Sequence, residues 1–424
     1  MNRTAENHTV VISGAGPAGT MASAFLSKHG ISHVLVDKSV FPRDKICGDA
    51  LSGKVFSVLK KLDPSVRRMM SEKKDDFIPC EGIVFAAPNG KHLEVPFKSK
   101  SNTLSDGPAG FVSTRMTFDH FIHQFLDSQT CEFRQDSEVV DVNRDEDGVM
   151  VTIKTGVDVH QIKTKLIIAC DGERSIISKK LGGFNRQLDH FSAGVRVYYE
   201  GVRDLHPQNY IELHFIKEFL PGYVWVFPLP NGKANVGAGI LSSHIAQNKL
   251  NLREMLHKAI TEHPSLKERF KNAKPLEKMK GWGLPLGAKR RSITGDHFML
   301  TGDAASLIDP FTGEGISNAM LSGMYAAETA VAAIRENDFS ENTLSQYDQL
   351  VYQRLAGELK LSRTLQRLCK YPFLFNMVIN KAHSNQEFRE MISCMFDDID
   401  LRAKLRKPSF YLNLVFGRKQ AKKD

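Results

Sequence analysis

The segment that most constrains the fold is "TVVISGAGPAGTMASAFLSKHGISHVLVDKS", residues 9–39 of the 424-residue chain. Apolar residues fill positions 9–13 and 33–36, which predicts two short strands, and the Ala-rich stretch 17–29 between them predicts a helix. Two strands joined by such a crossover helix run parallel. The sequence therefore predicts a doubly wound α/β domain of the Rossmann type.

The glycine-rich turn of this unit has the G-x-G-x-x-G spacing of dinucleotide-binding proteins. Glycine lets the backbone approach a pyrophosphate closely, and the N-terminus of the following helix attracts its negative charge. The aspartate that ends the second strand is placed to accept hydrogen bonds from a ribose hydroxyl. We expect the dinucleotide to contact Gly14, Gly16, Pro17, Ala18, Gly19, Asp37 and Lys38. The turn by itself does not distinguish FAD from NAD.

Two later segments distinguish them by resemblance. In "LIIACDGERSIISKKLG", residues 166–182, Asp171, Gly172 and Ser175 match the DGxxS pattern of the flavoprotein hydroxylase superfamily. "FMLTGDAASLIDPFTGEGISNAM", residues 298–320, resembles the second FAD fingerprint of that superfamily. The matching residues and the start of the helix behind them are Gly302, Asp303, Ala304, Pro310, Gly313, Gly315 and Ile316. The resemblance implies FAD as the cofactor, with both segments at its site.

Elementary chemistry supports the second fingerprint. Asp303 follows the apolar strand "HFML" and can accept a hydrogen bond from a ribityl hydroxyl, although a helix cap is the alternative. A helix that begins near Ile316 would direct its positive end at the flavin edge where reduction places negative charge. Arg115, in "STRMTFDHF", matches the superfamily's RxxFD element, which implies a place near the cofactor. The alternative for Arg115 is an exposed arginine at a helix start.

A narrower resemblance lies in "FPRDKICGDALSG", residues 41–53. Its Pro42, Arg43, Lys45, Cys47 and Gly48 are similar to the PRxKxCG element of the geranylgeranyl reductase family. This resemblance implies that Arg43, Cys47 and Gly48 contact the cofactor and that Cys47 has a catalytic role. On composition alone, a single cysteine is more often a small buried apolar residue.

The strand "PGYVWVFPLP", residues 221–230, extends this resemblance through the family's YxWxFP element. Tyr223, Trp225 and Phe227 alternate along the strand, so they share one face. That face is either ordinary core or the wall of an apolar substrate slot opposite the flavin, and the resemblance implies the slot. Flavin-dependent halogenases have a related WxWxIP element, but we find no match to their catalytic lysine.

The predicted architecture is a Rossmann-type FAD-binding domain interleaved with a β-rich substrate domain, followed by helices. Residues 80–97 and 191–240 are β-rich, whereas the pattern after about 315 is helical as far as 400. We assign parts 1–75, 105–182 and 285–340 to FAD binding, 76–104 and 183–284 to the substrate domain, and 341–424 to a C-terminal helical region with a basic tail.

Composition narrows the class and setting of the protein. With 42% hydrophobic and 25% charged residues the chain is globular, and no apolar run approaches the roughly 20 residues of a membrane span. The N-terminus has no signal-peptide pattern, and the six cysteines are scattered without metal-ligand spacing. We therefore expect a cytoplasmic protein without a metal or a nucleic-acid partner.

The C-terminal region places apolar and cationic residues side by side. "YPFLFNMVINKA", residues 371–382, precedes a basic tail within a chain of net charge +9. This pattern suits peripheral contact with an anionic bilayer. Helical core packing for 371–382 and a solvated tail are the alternatives.

The predicted reaction is reduction of carbon–carbon double bonds in an isoprenoid or other unsaturated lipid. Cys47, or water beside it, is the candidate for proton delivery. No second G-x-G-x-x-G lies between a strand and a helix, since Gly237 and Gly239 continue a strand. Electrons would therefore come from transiently bound NAD(P)H or from a reduced carrier, such as a redox donor protein. The rival interpretations are an oxygen-using monooxygenase or halogenase with an aromatic substrate, and a non-catalytic electron-carrying flavoprotein.

Overall fold

The computed structural model describes residues 6–97 and 107–384. Its strands, in chain order, are β1 (Glu6–Ser13), β2 (His33–Val36), β3 (Ala50–Leu51), β4 (Ile78–Cys80), β5 (Gly82–Ala86), β6 (His92–Pro96), β7 (Gly110–Val112), β8 (Cys131–Arg134), β9 (Ser137–Asp145), β10 (Gly148–Thr155), β11 (Asp158–Ala169), β12 (Phe191–Glu200), β13 (Ile211–His214), β14 (Tyr223–Leu229), β15 (Lys233–Leu241), β16 (Lys274–Pro275), β17 (Lys280–Pro285), β18 (Thr294–Gly295) and β19 (Phe298–Leu300). Its helices are α1 (Pro17–Lys28), α2 (Gly53–Leu59), α3 (Val66–Glu72), α4 (Arg115–Ile122), α5 (Ile176–Lys180), α6 (Ser242–Asn248), α7 (Leu252–Glu262), α8 (Lys267–Phe270), α9 (Ile316–Glu336), α10 (Glu341–Leu368) and α11 (Pro372–Ser384).

The first large sheet is the one that the N-terminal pattern predicts. Its strands follow the order β18-β19-β11-β1-β2-β8, and β9 and β10 extend from β11. Strand β1 lies parallel to both β2 and β11, and β11 lies parallel to β19. The predicted strand–helix–strand unit is therefore confirmed as β1, α1 and β2. The sheet also brings the ends of β11 and β19, which carry the two later motifs, beside the glycine turn.

Helices α1 and α9 pack closely against each other over this sheet. A methyl group on Gly323 of α9 would lie 2.1 Å from the carbonyl oxygen of Ala18, so only glycine permits this approach. The contact holds the N-terminus of α1, at the glycine turn, near the N-terminus of α9, behind the second fingerprint.

The second large sheet is mostly antiparallel, with the order β16-β12-β15-β14-β13-β5-β6 and with β17 paired to β12. It uses chain from 82–96 and 191–285, which confirms that the regions around 80–97 and 191–240 are β-rich. The division of the chain into domain parts at the predicted boundaries remains a prediction. A short third sheet, β3-β7-β4, completes the strands.

The aromatic strand β14 is buried on both faces. Val224 and Val226 point into the core formed with β12, β15 and α7, whereas the alternating aromatic residues belong to a different cluster. This alternation is the period of two that the sequence predicts. The aromatic face is therefore directed away from the α7 side of the sheet.

The C-terminal part is helical, as predicted, in the described range 316–384, where short turns separate α9, α10 and α11. Helix α10 packs against α9 and β18. The rest of the predicted helical region and the basic tail lie outside the described residues. Among the described helices, none combines the length and apolar character that crossing a bilayer requires.

Candidate functional site

A cavity of about 560 Å³ is lined by residues of both large sheets. Most of the predicted site residues lie on its wall, although they come from separated parts of the sequence. They are Gly14, Gly16, Pro17, Ala18, Asp37, Lys38, Arg43, Cys47, Gly48, Arg115, Asp171, Gly172, Tyr223, Trp225, Phe227, Gly302, Asp303, Gly313, Gly315 and Ile316. The predicted residues Gly19 and Pro310 are not among the lining residues.

Those two residues shape the backbone behind the cavity. A methyl group on Gly19 would lie 1.7 Å from the carbonyl oxygen of Gly14, so glycine is needed where α1 packs on its own turn. Pro310 is buried on the side of α10, and its carbonyl oxygen accepts a hydrogen bond from Gln366 Nε2 at 2.8 Å. Both residues therefore have a packing role, and their contact with the cofactor stays a prediction.

The glycine turn offers donors to an anionic group. Gly14 has φ +98°, and a methyl group there would lie 2.4 Å from the carbonyl oxygen of Cys170. The two carboxylate oxygens of Asp37 accept hydrogen bonds from the backbone N–H groups of Ala15 and Ser39, both at 2.8 Å. Helix α1 has no side-chain cap at its N-terminus. Its first free N–H groups are therefore available to a phosphate.

Two arginines face the cavity because one buried carboxylate holds both. Asp119, which is 0% exposed, accepts from Arg115 Nε and Nη2 at 2.7 Å each and from Arg43 Nη1 at 2.6 Å. Burial alone would raise the pKa of Asp119, but the two guanidinium groups hold that pKa below its ordinary value. Arg43 Nη2 lies 3.6 Å from the position of a methyl group on Gly16, so its charge lies beside the glycine turn.

The alternative of an exposed Arg115 is wrong, since Arg115 is 6% exposed at the start of α4 and lines the cavity. Sequence reasoning missed its partner, Asp119. The signal was present, because Asp119 is the aspartate of the RxxFD element and lies one helical turn after Arg115.

The second fingerprint supplies acceptors. Asp303 lies in a short turn after β19 and makes no capping hydrogen bond, so the helix-cap alternative finds no support. Burial raises the pKa of Asp303, while Lys45 and Arg115 oppose that rise. Helix α9 begins at Ile316, as predicted, and its N-cap residue, Gly315, makes no side-chain cap hydrogen bond. Gly313 has φ +73°, and a methyl group there would lie 2.8 Å from the Tyr223 hydroxyl.

These groups fit FAD. The uncapped N-terminus of α1 and the guanidinium group of Arg43 offer hydrogen-bond donors. The cavity also has a buried acceptor, Oδ1 of Asp171, that makes no hydrogen bond to the described residues. Burial raises the pKa of Asp171 to about 6. Donors for a diphosphate at one end, and carboxylates for hydroxyl groups along the wall, match a dinucleotide with a sugar-alcohol chain. Within residues 6–97 and 107–384, no cluster of side chains could hold a metal ion.

The aromatic strand forms the other end of the cavity. The indole ring of Trp225 lies across a floor of glycines, because a methyl group on Gly237 would be 2.1 Å from the ring and one on Gly239 would be 3.8 Å from it. Trp225 Nε1 donates to Asn235 Oδ1 at 2.8 Å, and the Tyr223 hydroxyl donates to the carbonyl oxygen of Thr312 at 2.7 Å. The polar atoms of both rings are thus satisfied, so the rings offer an apolar wall.

Asn235 connects this wall to the loop that carries Cys47. Its Nδ2 donates to the carbonyl oxygen of Cys47 at 2.7 Å and to Oδ2 of Asp49 at 2.8 Å. Oδ2 of Asp49 also accepts from the Tyr198 hydroxyl at 2.7 Å. Sequence reasoning missed Asp49, Asn235 and Tyr198. The only available signal was that Asp49 directly follows the PRxKxCG element.

The chemistry of the Cys47 end follows from burial. Burial raises the pKa of the Cys47 thiol, although Arg115 opposes the rise, so the thiol keeps its proton at neutral pH. Burial also raises the pKa of Asp49 to about 6. A methyl group on Gly48 would lie 2.9 Å from the ring of Phe227, so the glycine lets the loop pack on the aromatic strand.

The sequence of the chain is similar to those of known FAD-binding proteins. The family model described as "FAD binding domain" matches residues 7–355. The digeranylgeranylglycerophospholipid reductase of Methanococcus vannielii is 30% identical over 377 residues, which cover 87% of this chain and 89% of that protein.

Two solved structures share the fold at lower identity. A geranylgeranyl bacteriochlorophyll reductase-like protein from Thermoplasma acidophilum has a TM-score of 0.73 at 24% identity, covering 92% of this chain and 100% of that one. A flavin-dependent brominase has a TM-score of 0.74 at 23% identity, covering 96% of this chain and 99% of that one. Proteins named for reduction and for bromination thus share this fold, so the fold alone does not determine the reaction.

Proposed function

Because the chain belongs to the geranylgeranyl reductase family of FAD-dependent oxidoreductases, we propose that it reduces carbon–carbon double bonds in the isoprenoid chain of a lipid. The observation that carries the proposal is the shared cavity: Tyr223, Trp225 and Phe227 line the same space as both FAD fingerprints. An alkene has no polar group to bind, so an apolar aromatic wall is the surface that suits it. Cys80, Phe97, Ile211 and Leu213 extend this apolar lining.

Bound FAD, once reduced, supplies a hydride to one alkene carbon, and the other carbon then needs a proton. The task of the chain is to hold the alkene against the cofactor and to exclude water. Trp225 and Tyr223 do this because their own hydrogen bonds fix both rings. We assign the proton to Cys47, or to water beside it, since its thiol lines the cavity and is protonated at neutral pH.

Replacement of Cys47 tests this assignment. We expect Cys47→Ala to retain bound flavin and its reduction by dithionite but to slow alkene reduction by roughly 100-fold or more, in the range of a lost general acid. Cys47→Ser should retain part of the rate because a hydroxyl can also donate. Full turnover of Cys47→Ala would reduce the role of Cys47 to packing.

The reductive reaction is separated from the oxygen-using one by an anaerobic mixing experiment. Dithionite-reduced protein is mixed, without oxygen, with polyprenyl diphosphates, polyprenyl glycerophospholipids or quinones with unsaturated tails, and flavin absorbance is followed. Reoxidation by one of these lipids supports the proposal. Reoxidation only after oxygen is admitted would favour a monooxygenase or halogenase, and flavin cycling that consumes no substrate would favour an electron carrier.

Helix α11 suggests how a lipid reaches the slot. Phe375 is buried, and its ring centroid lies 4.4 Å from that of Phe215, which lies 5.5 Å from that of Tyr223. On the outer side, Tyr371 and Phe373 are 61% and 74% exposed. The inner face of this segment is therefore packed in the core, whereas its outer face presents exposed aromatic side chains.

We propose that this outer face docks on an anionic bilayer from the cytoplasmic side. Exposed Arg367 and Lys370 lie next to the aromatic pair and supply the attraction to lipid head groups. Co-sedimentation with phosphatidylglycerol vesicles should fall when Tyr371 and Phe373 are both replaced by serine. The control is Val157→Ser, which removes an even more exposed apolar side chain, 94% exposed, in another part of the chain. Equal binding of both proteins would reject this surface.

The identity of the molecule that reduces the bound flavin is a prediction from the sequence. Gly237 and Gly239 lie within strand β15, so in the described residues they do not form a second phosphate-binding turn for a nicotinamide dinucleotide. We therefore propose a transiently bound NAD(P)H or a reduced carrier protein. Stopped-flow reduction of the bound flavin by NADH, NADPH and a reduced ferredoxin distinguishes them.

A further inference from the structure

Within the described residues, one cation of the cavity forms no salt bridge, although the carboxylate of Asp303 is near enough to act on it. Lys45 Nζ lies 3.8 Å from the centroid of the Trp282 ring, and both side chains line the cavity. Throughout the described part of the chain, Lys45 makes neither a hydrogen bond nor an ion pair. Its charged neighbours on the loop differ, since Arg43 is paired with Asp119 and Asp44 with Arg196 and Lys280.

The position of Trp282 shows which end of the cavity Lys45 occupies. In the second large sheet Trp282 is the direct neighbour of Gly194, and the Trp225 indole reaches within 4.0 Å of the position of a methyl group on Gly194. Lys45 therefore lies beside the aromatic slot, whereas Arg43 lies at the glycine turn. The charge of Lys45 is thus at the ring end of the cofactor cavity and not at the diphosphate end.

We propose that the Lys45 ammonium group stabilises reduced FAD over oxidised FAD. The ring system of oxidised FAD is neutral, whereas two-electron reduction leaves negative charge on it, so a nearby cation favours the reduced form. Lys45 is half-buried, so water screens its charge less than it screens the charge of an exposed group. No carboxylate of the described residues lies within 4 Å of the Lys45 ammonium group, so Asp303 offsets its charge only from a greater distance. The inference holds whichever lipid is the substrate.

The protonation of Lys45 supports this role and supplies a second readout. Burial lowers the pKa of Lys45 to about 8, with Asp303 and Cys47 opposing the shift and Arg115 and Arg43 reinforcing it. Negative charge on a reduced ring would raise this pKa again. At a pH between the pKa of Lys45 beside oxidised FAD and its higher pKa beside reduced FAD, reduction is accompanied by uptake of one proton at Lys45. The midpoint potential therefore falls more steeply with pH above about pH 8 than below it.

The test is the midpoint potential of FAD-loaded protein, measured by equilibration with reference dyes during slow anaerobic reduction. We expect Lys45→Met to weaken reduction by about tenfold, which is ~30 mV for a two-electron couple. Lys45→Arg keeps the charge and should remain close to wild type. Arg174→Met is the matched control, because Arg174 lies 5.3 Å from the same indole ring but its side chain is 74% exposed. Solvent screens that charge, so its removal should shift the potential less.

An unchanged potential in Lys45→Met would overturn the proposal, as would an equal shift in Arg174→Met. If Lys45→Met does not retain FAD, the wild-type protein decides the question through the pH dependence of its potential. A slope that steepens by one proton per two electrons above about pH 8, and that is absent in Lys45→Arg, supports the proposal. A slope without this change contradicts it.

Discussion

The glycine floor under Trp225 allows a sharp test of the aromatic slot. A methyl group on Gly237 would lie 2.1 Å from Cζ2 of the indole and 2.3 Å from the carbonyl oxygen of Val195 in the adjacent strand. Movement of the ring relieves only the first contact, and the second requires a shift of the paired strands, so Gly237→Ala must disturb both the ring and the pairing. Gly239, two residues further along the same face, is the matched control, since a methyl group there would meet the ring at 3.8 Å.

The energetic cost follows from these distances. Overpacking of a filled site costs about 1–3 kcal/mol, and displacement breaks the 2.8 Å hydrogen bond from the indole to Asn235, which is worth ~1 kcal/mol. Alanine restricts the unfolded chain more than glycine does, which offsets about 0.4–1 kcal/mol. We therefore expect Gly237→Ala to lose about 2 kcal/mol of the free energy of unfolding. Gly239→Ala should be neutral or slightly more stable.

Two assays distinguish the variants. Urea unfolding of the FAD-loaded protein measures the stability difference, and anaerobic flavin reoxidation by the preferred lipid measures the effect on the slot. We expect Gly237→Ala to lower the reoxidation rate by about tenfold. The amount of bound flavin that dithionite reduces should stay unchanged because the diphosphate end is untouched. Gly237→Ala and Gly239→Ala behaving alike in both assays would refute the placement of the indole.

Two further predictions concern buried carboxyl groups. Asp119→Asn should lower the free energy of unfolding by about 3 kcal/mol and weaken FAD binding, because it leaves the buried guanidinium group of Arg115 and the half-buried one of Arg43 without their shared counterion. An unchanged FAD affinity in titration calorimetry would contradict this. Asp49, with its pKa raised to about 6, contributes stability that is full below about pH 4 and lost as the pH rises through 6. The difference in unfolding free energy between wild type and Asp49→Asn should therefore change by about 2–3 kcal/mol from pH 4 to pH 7, and a difference that stays constant across this range would show that Asp49 is not the titrating group.

Local sequence patterns predict the parts of the site that depend on backbone geometry. The glycine turn, the strands at 9–13 and 33–36 and the helix start at Ile316 are determined by residues close together in the chain, and the structure has each of them where the pattern indicates. The alternation of the aromatic strand is local in the same sense. What lies opposite that strand is not local, and the resemblance to a family was needed to suggest it.

The side-chain network behind the site was not predictable in this way. Asn235 meets Asp49 across 186 residues of sequence, and Arg196, whose side chain is 0% exposed, meets Asp44 across 152. Such pairs depend on how the second sheet is placed over the first, and no spacing rule contains that information. The burial of Arg115 was not predictable for the same reason, since an arginine at a helix start is exposed or buried according to what packs around the helix.

The most direct test of the reductase proposal is the mass of the lipid itself after a single anaerobic turnover. Protein whose bound FAD has been reduced stoichiometrically is mixed with an unsaturated polyprenyl lipid, quenched when the flavin absorbance has recovered, and the extracted lipid is examined by mass spectrometry. We expect the lipid to gain two hydrogen atoms for each flavin oxidised, with the gain abolished in a sample lacking the protein. Reoxidised flavin with lipid of unchanged mass would contradict the account.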